Sequence, residues 1–131
     1  MIVDKALLDE LTEKAKANPR LRQGMDMRDT AEDGSQRLLN ALEPGTVMPI
    51  HRHRRTSETV AILRGQVKWL FYDENGKEIE SVMLDAEGNV RCIQVEQGRW
   101  HSLVCMTSGT ILLESKNGKY EPLGEEDIMT L

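Results

Sequence analysis

The chain from residue 36 onward is divided into short apolar segments by closely spaced turn signals. The clearest signals are Gly65, Asn75-Gly76, Glu96-Gln97-Gly98 and Asn117-Gly118. Asn-Gly is typical of tight hairpin turns, because both residues tolerate the positive φ that such turns need. No helical repeat lies between the segments, so the pattern predicts an all-β sandwich, jelly roll or barrel.

The predicted strands are rich in β-branched and aromatic residues, which favour extended structure. They are Gln36–Glu43, Glu58–Arg64, Gln66–Asp73, Glu78–Leu84, Val90–Val95, Arg99–Met106 and Thr110–Lys116. Successive side chains of a strand point to opposite faces. The alternation of Val67, Trp69 and Phe71 with Lys68 and its neighbours therefore predicts that one face of this strand is more deeply buried.

The N-terminal segment has a different pattern. Residues 4–17, DKALLDELTEKAKA, contain strong helix formers without Gly or Pro, and leucines recur at helical spacing. Asp4 is placed to cap the start of this helix, and Pro19 marks its end. Residues 20–35 are polar and predict an irregular connection. We therefore expect residues 1–35 to form a helix and connecting segment packed on a barrel domain of residues 36–131.

Charge and composition exclude several classes of function. The net charge is −5, and the single basic cluster, at Arg52, Arg54 and Arg55, is too short to predict nucleic-acid binding. No apolar run approaches the roughly 18–20 residues of a membrane span. Cys92 and Cys105 cannot form a disulfide framework, and both are expected to be packing residues. With no signal-peptide core at the N-terminus, the expected location is the cytoplasm.

The three histidines give the strongest chemical signal. His51 and His53 project from the same face of an extended segment, Glu58 begins the next strand, and His101 follows the Gly98 turn. Three imidazoles and a carboxylate suit a divalent transition metal, whereas Ca²⁺ and Mg²⁺ prefer oxygen ligands. The residues alone leave another interpretation open, since a histidine pair in a basic loop is often simply solvated.

The spacing around these residues resembles a known motif. Gly45-(x5)-His51-x-His53-(x4)-Glu58-(x6)-Gly65 resembles the first motif of the cupin superfamily at every fixed position. The resemblance implies the cupin fold, which is a jelly-roll, or double-stranded β-helix, barrel. That fold hosts dioxygenases, isomerases, epimerases and simple sugar or metal binders, so it implies a reaction less firmly than an architecture.

The second cupin motif is matched in part. Gly98-x-x-His101 resembles its core, but Glu96 stands where proline is usual and Cys105 where asparagine is usual. Gly88 also lies further from the turn than the motif expects. Because proline would preset the backbone of the turn, Glu96 is expected to loosen the turn while leaving the histidine in place.

The chain is most similar to one cupin branch, the small WbuC-type cupin-fold metalloproteins. The features that carry this resemblance are LLDEL in the leading helix, Asn18-Pro19-Arg20, Gln36–Thr46, the PIHRH run, Gly98-x-Trp100-His101 and Tyr120-Glu121-Pro122. One departure is Ser57, which replaces the aromatic residue that precedes the glutamate in that branch. The branch is associated with surface-polysaccharide gene clusters, which implies a small sugar-like ligand or substrate.

The resemblance implies a metal site formed by His51, His53, Glu58 and His101. The metal would be Fe, Mn, Ni, Zn or Cu, and six-coordinate geometry would leave two positions for a substrate. A metal-dependent oxygenase or isomerase, a non-catalytic sugar-binding module and a structural metal site all remain open. Glu114 and Arg99 are further candidates near the site, although both are expected to be exposed or structural. We also expect a homodimer, as is common for cupins.

Overall fold

The computed structural model of the protein describes residues 1–130 and consists of two antiparallel sheets and one N-terminal helix. The elements are α1 (Lys5–Ala17), β1 (Arg22–Asp26), β2 (Ser35–Leu42), β3 (Glu58–Arg64), β4 (Gln66–Tyr72), β5 (Glu78–Asp85), β6 (Cys92–Val95), β7 (His101–Cys105), β8 (Thr110–Asn117) and a short 3₁₀ helix (Glu125–Asp127). The strand order is β1-β2-β8-β3-β6 in one sheet and β5-β4-β7 in the other. Within residues 1–130 no helix combines the length and apolar character that crossing a bilayer requires.

The helix begins and ends close to the predicted positions. Asp4 caps it by accepting a hydrogen bond from the Leu7 backbone N–H at 3.0 Å, which satisfies one of the free donors of the first turn. Its apolar stripe, with Leu11 and Ala15 buried, packs on Leu39 and Ile111 from β2 and β8. The helix thus covers the outer face of the five-stranded sheet.

The prediction for the segment after the helix is wrong. Residues 20–35 were expected to be irregular, but Arg22–Asp26 forms β1 and pairs with β2 in register from Arg22 opposite Leu42 to Asp26 opposite Leu38. The sequence RQGMD has little intrinsic preference for a strand. Pairing with the edge of β2 supplies the hydrogen bonds that local propensity does not.

The main core lies between the two sheets. Its buried side chains come from both sheets and include Trp69, Phe71, Leu84, Leu103 and Leu112. Val67, Trp69 and Phe71 are at most 3% exposed, which confirms the alternation predicted for β4. Cys105 belongs to this core as predicted, but Cys92 is exposed, so its predicted packing role is wrong.

Gly65 carries the chain from one sheet to the other. It lies between the end of β3 and the start of β4, with φ +84. Its backbone passes so close to β8 that a Cβ atom would collide with the Thr110 Oγ1 and lie 2.9 Å from the Thr107 Oγ1. The motif glycine is therefore required by both backbone conformation and space.

Candidate metal centre

The structure brings all three histidines together. His51 and His53 lie in the loop between β2 and β3, and His101 begins β7. One nitrogen from each ring lies within 4.8 Å of the others. Two reciprocal backbone hydrogen bonds hold the His51 and His101 main chains side by side, at 3.0 and 2.9 Å. The Gly98 N–H donates to the His53 carbonyl at 2.8 Å, which ties the same loop to the turn before β7.

Two of the rings are oriented by hydrogen bonds from the nitrogen that faces away from the cluster. His51 Nδ1 lies 2.8 Å from the Pro49 carbonyl oxygen, and His101 Nδ1 lies 2.8 Å from the Arg99 carbonyl oxygen. A carbonyl oxygen only accepts, so each Nδ1 carries the proton and each Nε2 keeps its lone pair. This arrangement is common for metal-binding histidines, whose second nitrogen is fixed by a backbone or carboxylate acceptor.

His101 Nε2 is buried and has no hydrogen-bond partner among the described residues. The ring is 1% exposed and is stacked on Trp69, with 5.4 Å between ring centroids. A buried acceptor without a partner costs roughly 1–3 kcal/mol. A metal ion is a partner that would remove this cost, so the environment of His101 fits a metal ligand.

Glu58 lies next to the histidines as the sequence predicted. It begins β3 and is 4% exposed. Its Oε2 lies 3.6 Å from His53 Nε2, and its Oε1 lies 3.8 Å from His101 Nε2. The four predicted ligands therefore lie close together, and their nitrogen and oxygen donors form a set that divalent transition metals accept.

The imidazoles are held neutral, which is the form that can bind a metal. Burial lowers the pKa of His51 to about 4, and the nearby His101 contributes to this shift. Burial and the charge of Lys116 lower the pKa of His53 to about 3. Burial also lowers the pKa of His101 to about 4. All three rings are consequently neutral at physiological pH.

Lys116 is a functional candidate that the sequence reasoning missed. Glu58 and Lys116 are directly opposite each other on β3 and β8, and Lys116 Nζ lies 3.3 Å from Glu58 Oε2. The lysine thus gives the buried carboxylate a charged partner. Leu112, Glu114 and Lys116 are two residues apart on β8, so their side chains share one face of the strand. This alternation was the signal in the sequence that could have identified Lys116. Only the pairing of β8 with β3 places it at the site.

Glu114 and Arg99 were both expected to be exposed or structural, and of the two only Glu114 differs from that expectation. Glu114 is half-buried and lines the cavity at the site instead of facing solvent. Burial and the neighbouring charge of Glu58 raise the pKa of Glu114 to about 8. Arg99 forms ion pairs with Glu80 and Glu96 at 2.5 and 3.1 Å and stacks on Phe71. Arg99 is therefore structural, as predicted.

The histidine cluster opens into a large cavity of about 790 Å³. Polar residues from β1, β2 and β8 line one side, and the segment after β8 passes over another. Asp127 in that segment accepts ion pairs from Arg52 at 3.1 Å and Arg54 at 2.7 Å. The backbone N–H of Arg52 also donates to the Asp127 carbonyl at 3.0 Å. The C-terminal segment is thus attached to the loop that carries two of the histidines.

Solved structures of cupin-fold proteins share this architecture at low sequence identity. KdgF from Halomonas sp. gives a TM-score of 0.61 with 14% identity, over 79% of this chain and 84% of that chain. The capsular polysaccharide assembling protein CapF from Staphylococcus aureus gives a TM-score of 0.66 with 17% identity, over 87% of this chain and 32% of that chain.

A third similar structure is the oxalate decarboxylase of Bacillus subtilis, a protein with Mn(II) centres. Its TM-score is 0.58 with 18% identity, over 84% of this chain and 28% of that chain. This chain thus spans most of KdgF but less than two thirds of the other two proteins. These likenesses confirm the predicted cupin fold, whereas the closer WbuC-type resemblance remains a prediction.

No curated protein matches the sequence. A family model described as "Domain of unknown function (DUF6016)" matches residues 3–84, which is more than half of the chain. The protein therefore belongs to the DUF6016 family.

Proposed function

We propose that this protein binds one divalent transition metal through His51, His53, Glu58 and His101, and holds it at the base of the cavity for a small polar ligand. The observation that carries this proposal is the buried, unpartnered Nε2 of His101, which lies among three other donors. We further propose that the two sheets form the closed jelly-roll barrel of cupins. Fe, Mn, Ni, Zn and Cu are all compatible with the donor set.

The volume of the cavity supports a ligand site in preference to a purely structural metal. A structural site is normally closed by four protein ligands, whereas a catalytic or ligand-binding site keeps a position open. Here the cluster lies at the wall of a space of about 790 Å³, which is within the usual range for small-molecule sites. The likeness to a capsular polysaccharide assembling protein supports a sugar-like ligand.

The residues around the cluster support a metal-dependent enzyme, either an isomerase or an oxygenase. A bound metal would supply Lewis-acid polarisation of a ligand oxygen. Glu114 holds a proton at neutral pH, because its pKa is raised to about 8, so it can donate to a ligand in the cavity. Trp69 stacks on His101 and gives it an apolar support. Lys116 forms an ion pair with the carboxylate of Glu58. A non-catalytic binding module would use the same arrangement without proton transfer.

The proposal is tested by removing metal with a chelator and titrating the protein with each candidate ion by calorimetry, with elemental analysis of the product. We expect one ion per chain. Since loss of a residue that merely orients a ligand typically costs 10- to 100-fold in affinity, His101→Ala should weaken binding by at least about 100-fold. Glu74→Ala, in the exposed hairpin turn, is the matched control. Equal metal content in His101→Ala and in the control would overturn the proposal.

A further inference from the structure

Most basic side chains that line the cavity already have an acidic partner. Lys116 pairs with Glu58 at 3.3 Å and Arg55 with Glu121 at 3.6 Å. The remaining pairs are Arg54 with Glu126 at 2.8 Å and Lys119 with Glu32 at 2.6 Å. Each of these four cations therefore has a carboxylate of the protein beside it.

Arg20 and Arg22 also line the cavity, but neither has a carboxylate partner within residues 1–130. Arg20 is exposed, so water can solvate its side chain. Arg22 is half-buried, and its one side-chain contact of hydrogen-bond type is from Nη1 to the Met48 sulfur at 3.5 Å. A thioether is a weak acceptor, while a guanidinium has five N–H donors. Arg22 therefore retains most of its hydrogen-bonding capacity.

The position of Arg22 on β1 directs it into the space between the sheets. It is paired with Leu42, whose side chain belongs to the core between the sheets. The next residue on the same face is Gly24, which has no side chain and lies opposite Asn40. Asn40 lines the same cavity.

Met48 connects Arg22 to the metal centre. Its side chain contacts the guanidinium, and its carbonyl accepts a hydrogen bond of 2.7 Å from the Ser102 hydroxyl, next to His101. Met48 also precedes His51 by three residues on the same loop. The guanidinium and the histidine cluster therefore both contact the loop segment around Met48, and both line the same cavity.

We propose that Arg22 is the anion-binding residue of this cavity, and that the ligand carries a carboxylate or phosphate group opposite the metal-facing end of the molecule. The planar guanidinium donates two parallel hydrogen bonds to either group, which a lysine cannot reproduce. Asn40 would bind a hydroxyl of the same ligand. This inference rests on the proposed function, because it deepens the description of the ligand at that site.

The test uses three probes that share one sugar framework, namely glucuronate, glucose 6-phosphate and glucose. Each is titrated by calorimetry into the metal-loaded full chain, as wild type, Arg22→Gln, Arg22→Lys and Arg91→Gln. Arg91 is an exposed arginine that bonds the Gly88 carbonyl away from the cavity, so its variant is the matched control. Metal content is measured for every sample.

We expect an anionic probe to bind more tightly than glucose. Arg22→Gln should weaken the anionic probe by about 10- to 100-fold, as expected for a lost hydrogen-bonded charge pair, and leave glucose unchanged. Arg22→Lys should recover only part of the loss. Tighter binding of glucuronate identifies a carboxylate ligand, and tighter binding of glucose 6-phosphate identifies a phosphate ligand.

Equal affinity of Arg22→Gln and Arg91→Gln for the anions would overturn the inference, as would failure of both anions to bind at millimolar concentration. In either case an unchanged metal content leaves the proposed metal site standing. Absence of metal from the wild-type protein would instead contradict the proposed function itself. Arg22→Lys keeps the inference testable if Arg22→Gln folds poorly.

Discussion

Lys116 Nζ lies 3.3 Å from Glu58 Oε2, so a cation is placed beside the carboxylate of the proposed metal centre. The two residues face each other across β3 and β8, and both side chains are largely shielded from water. Lys116 also lowers the pKa of all three histidines, behind the larger effect of burial. The lysine therefore stabilises the metal-free site and opposes a divalent cation there.

Replacing Lys116 by methionine should raise metal affinity. The substitution removes a positive charge beside the proposed ligand Glu58 while keeping an unbranched side chain. Loss of the repulsion between the lysine and a divalent cation should raise affinity by about 10-fold. Calorimetric titration with Mn²⁺ or Zn²⁺ measures the change. Lys68→Met, on β4 in the other sheet, is the matched control and should have no effect. A fall in affinity would show that Lys116 mainly holds Glu58 in position.

Metal should stay bound at mildly acidic pH. The usual histidine pKa of ~6.5 would predict release near pH 6, but the pKa values of the three rings are lowered to about 4, 3 and 4. Protons therefore compete with the metal only as the pH approaches about 4. Elemental analysis after dialysis at a series of pH values measures retention. Complete release by pH 6 would contradict the buried, neutral histidine cluster.

The metal-free protein should become less stable as the pH falls below about 6.5. In that range the unfolded chain protonates its histidines while the native rings remain neutral, so the unfolded state binds more protons and acid favours unfolding. Glu114 acts in the opposite direction, because its pKa is raised in the native state. Three histidines outweigh this one carboxyl group.

Urea denaturation of the metal-free protein at several pH values between neutral and pH 4.5 tests this prediction. His53→Gln should show a shallower decline, since one of the shifted groups is removed, and Glu114→Gln should show a steeper decline. A stability that rises on acidification would show that the histidines are not held neutral.

Gly65→Ala should be far more destabilising than Gly98→Ala. Both glycines have positive φ, +84 and +80, which costs roughly 1–2 kcal/mol for an L-residue. A Cβ at Gly98 meets nothing within 4 Å, whereas a Cβ at Gly65 collides with Thr110. Thermal or urea denaturation of the two variants separates strain from collision. Similar losses of stability in both variants would mean that the structure around Gly65 shifts to accommodate the added Cβ at little cost.

Glu43→Ala should lower stability without changing metal content. The Glu43 carboxylate is 7% exposed and accepts hydrogen bonds of 2.6 Å from the Ser108 hydroxyl and the Gly109 N–H. Loss of hydrogen bonds to a charged group is expected to cost about 2–3 kcal/mol, measured by urea denaturation. Glu74→Ala, on the exposed hairpin, is the control and should stay within about 0.5 kcal/mol of wild type.

Asp127→Ala should accelerate release of the metal to a chelator. Asp127 joins the C-terminal segment to Arg52 and Arg54 and is 14% exposed, so its ion pairs are partly shielded from solvent. Glu121→Ala is the matched control, because Glu121 forms only an exposed pair with Arg55 at 3.6 Å. Stopped-flow measurements should show faster release only for Asp127→Ala. Equal rates would mean that the segment does not limit access to the site.

Sequence patterns predicted the strands, the helix and the four proposed ligands, because each depends on local periodicity or on spacing within a motif. β1 was missed since Arg22–Asp26 becomes a strand only through its pairing with β2. Lys116 was missed for a related reason. Its role depends on the register of β8 against β3, and a single sequence does not state which residues lie opposite each other across a sheet.

The same limit applies to Glu114, which was noted as a candidate but expected to be exposed or structural. Glu114 lies on the same face of β8 as the buried Leu112, so it faces inward. That this face changes from apolar core at Leu112 to polar cavity wall at Glu114 is visible only in the folded sheet. The homodimer and the cytoplasmic location remain predictions. Light scattering on the purified protein would test the first.

The reciprocal backbone bonds between His51 and His101 have an evolutionary consequence. They position two proposed ligands through main-chain atoms, which every residue type except proline can supply. With the Ser102 bond to Met48 and the Gly98 bond to His53, they hold the loop by its main chain. Loop side chains other than the histidines and the Arg52 and Arg54 partners of Asp127 are therefore free to vary. Arg55, which is exposed and lines the cavity, could therefore vary and change the ligand that the protein accepts, while the metal centre stays intact.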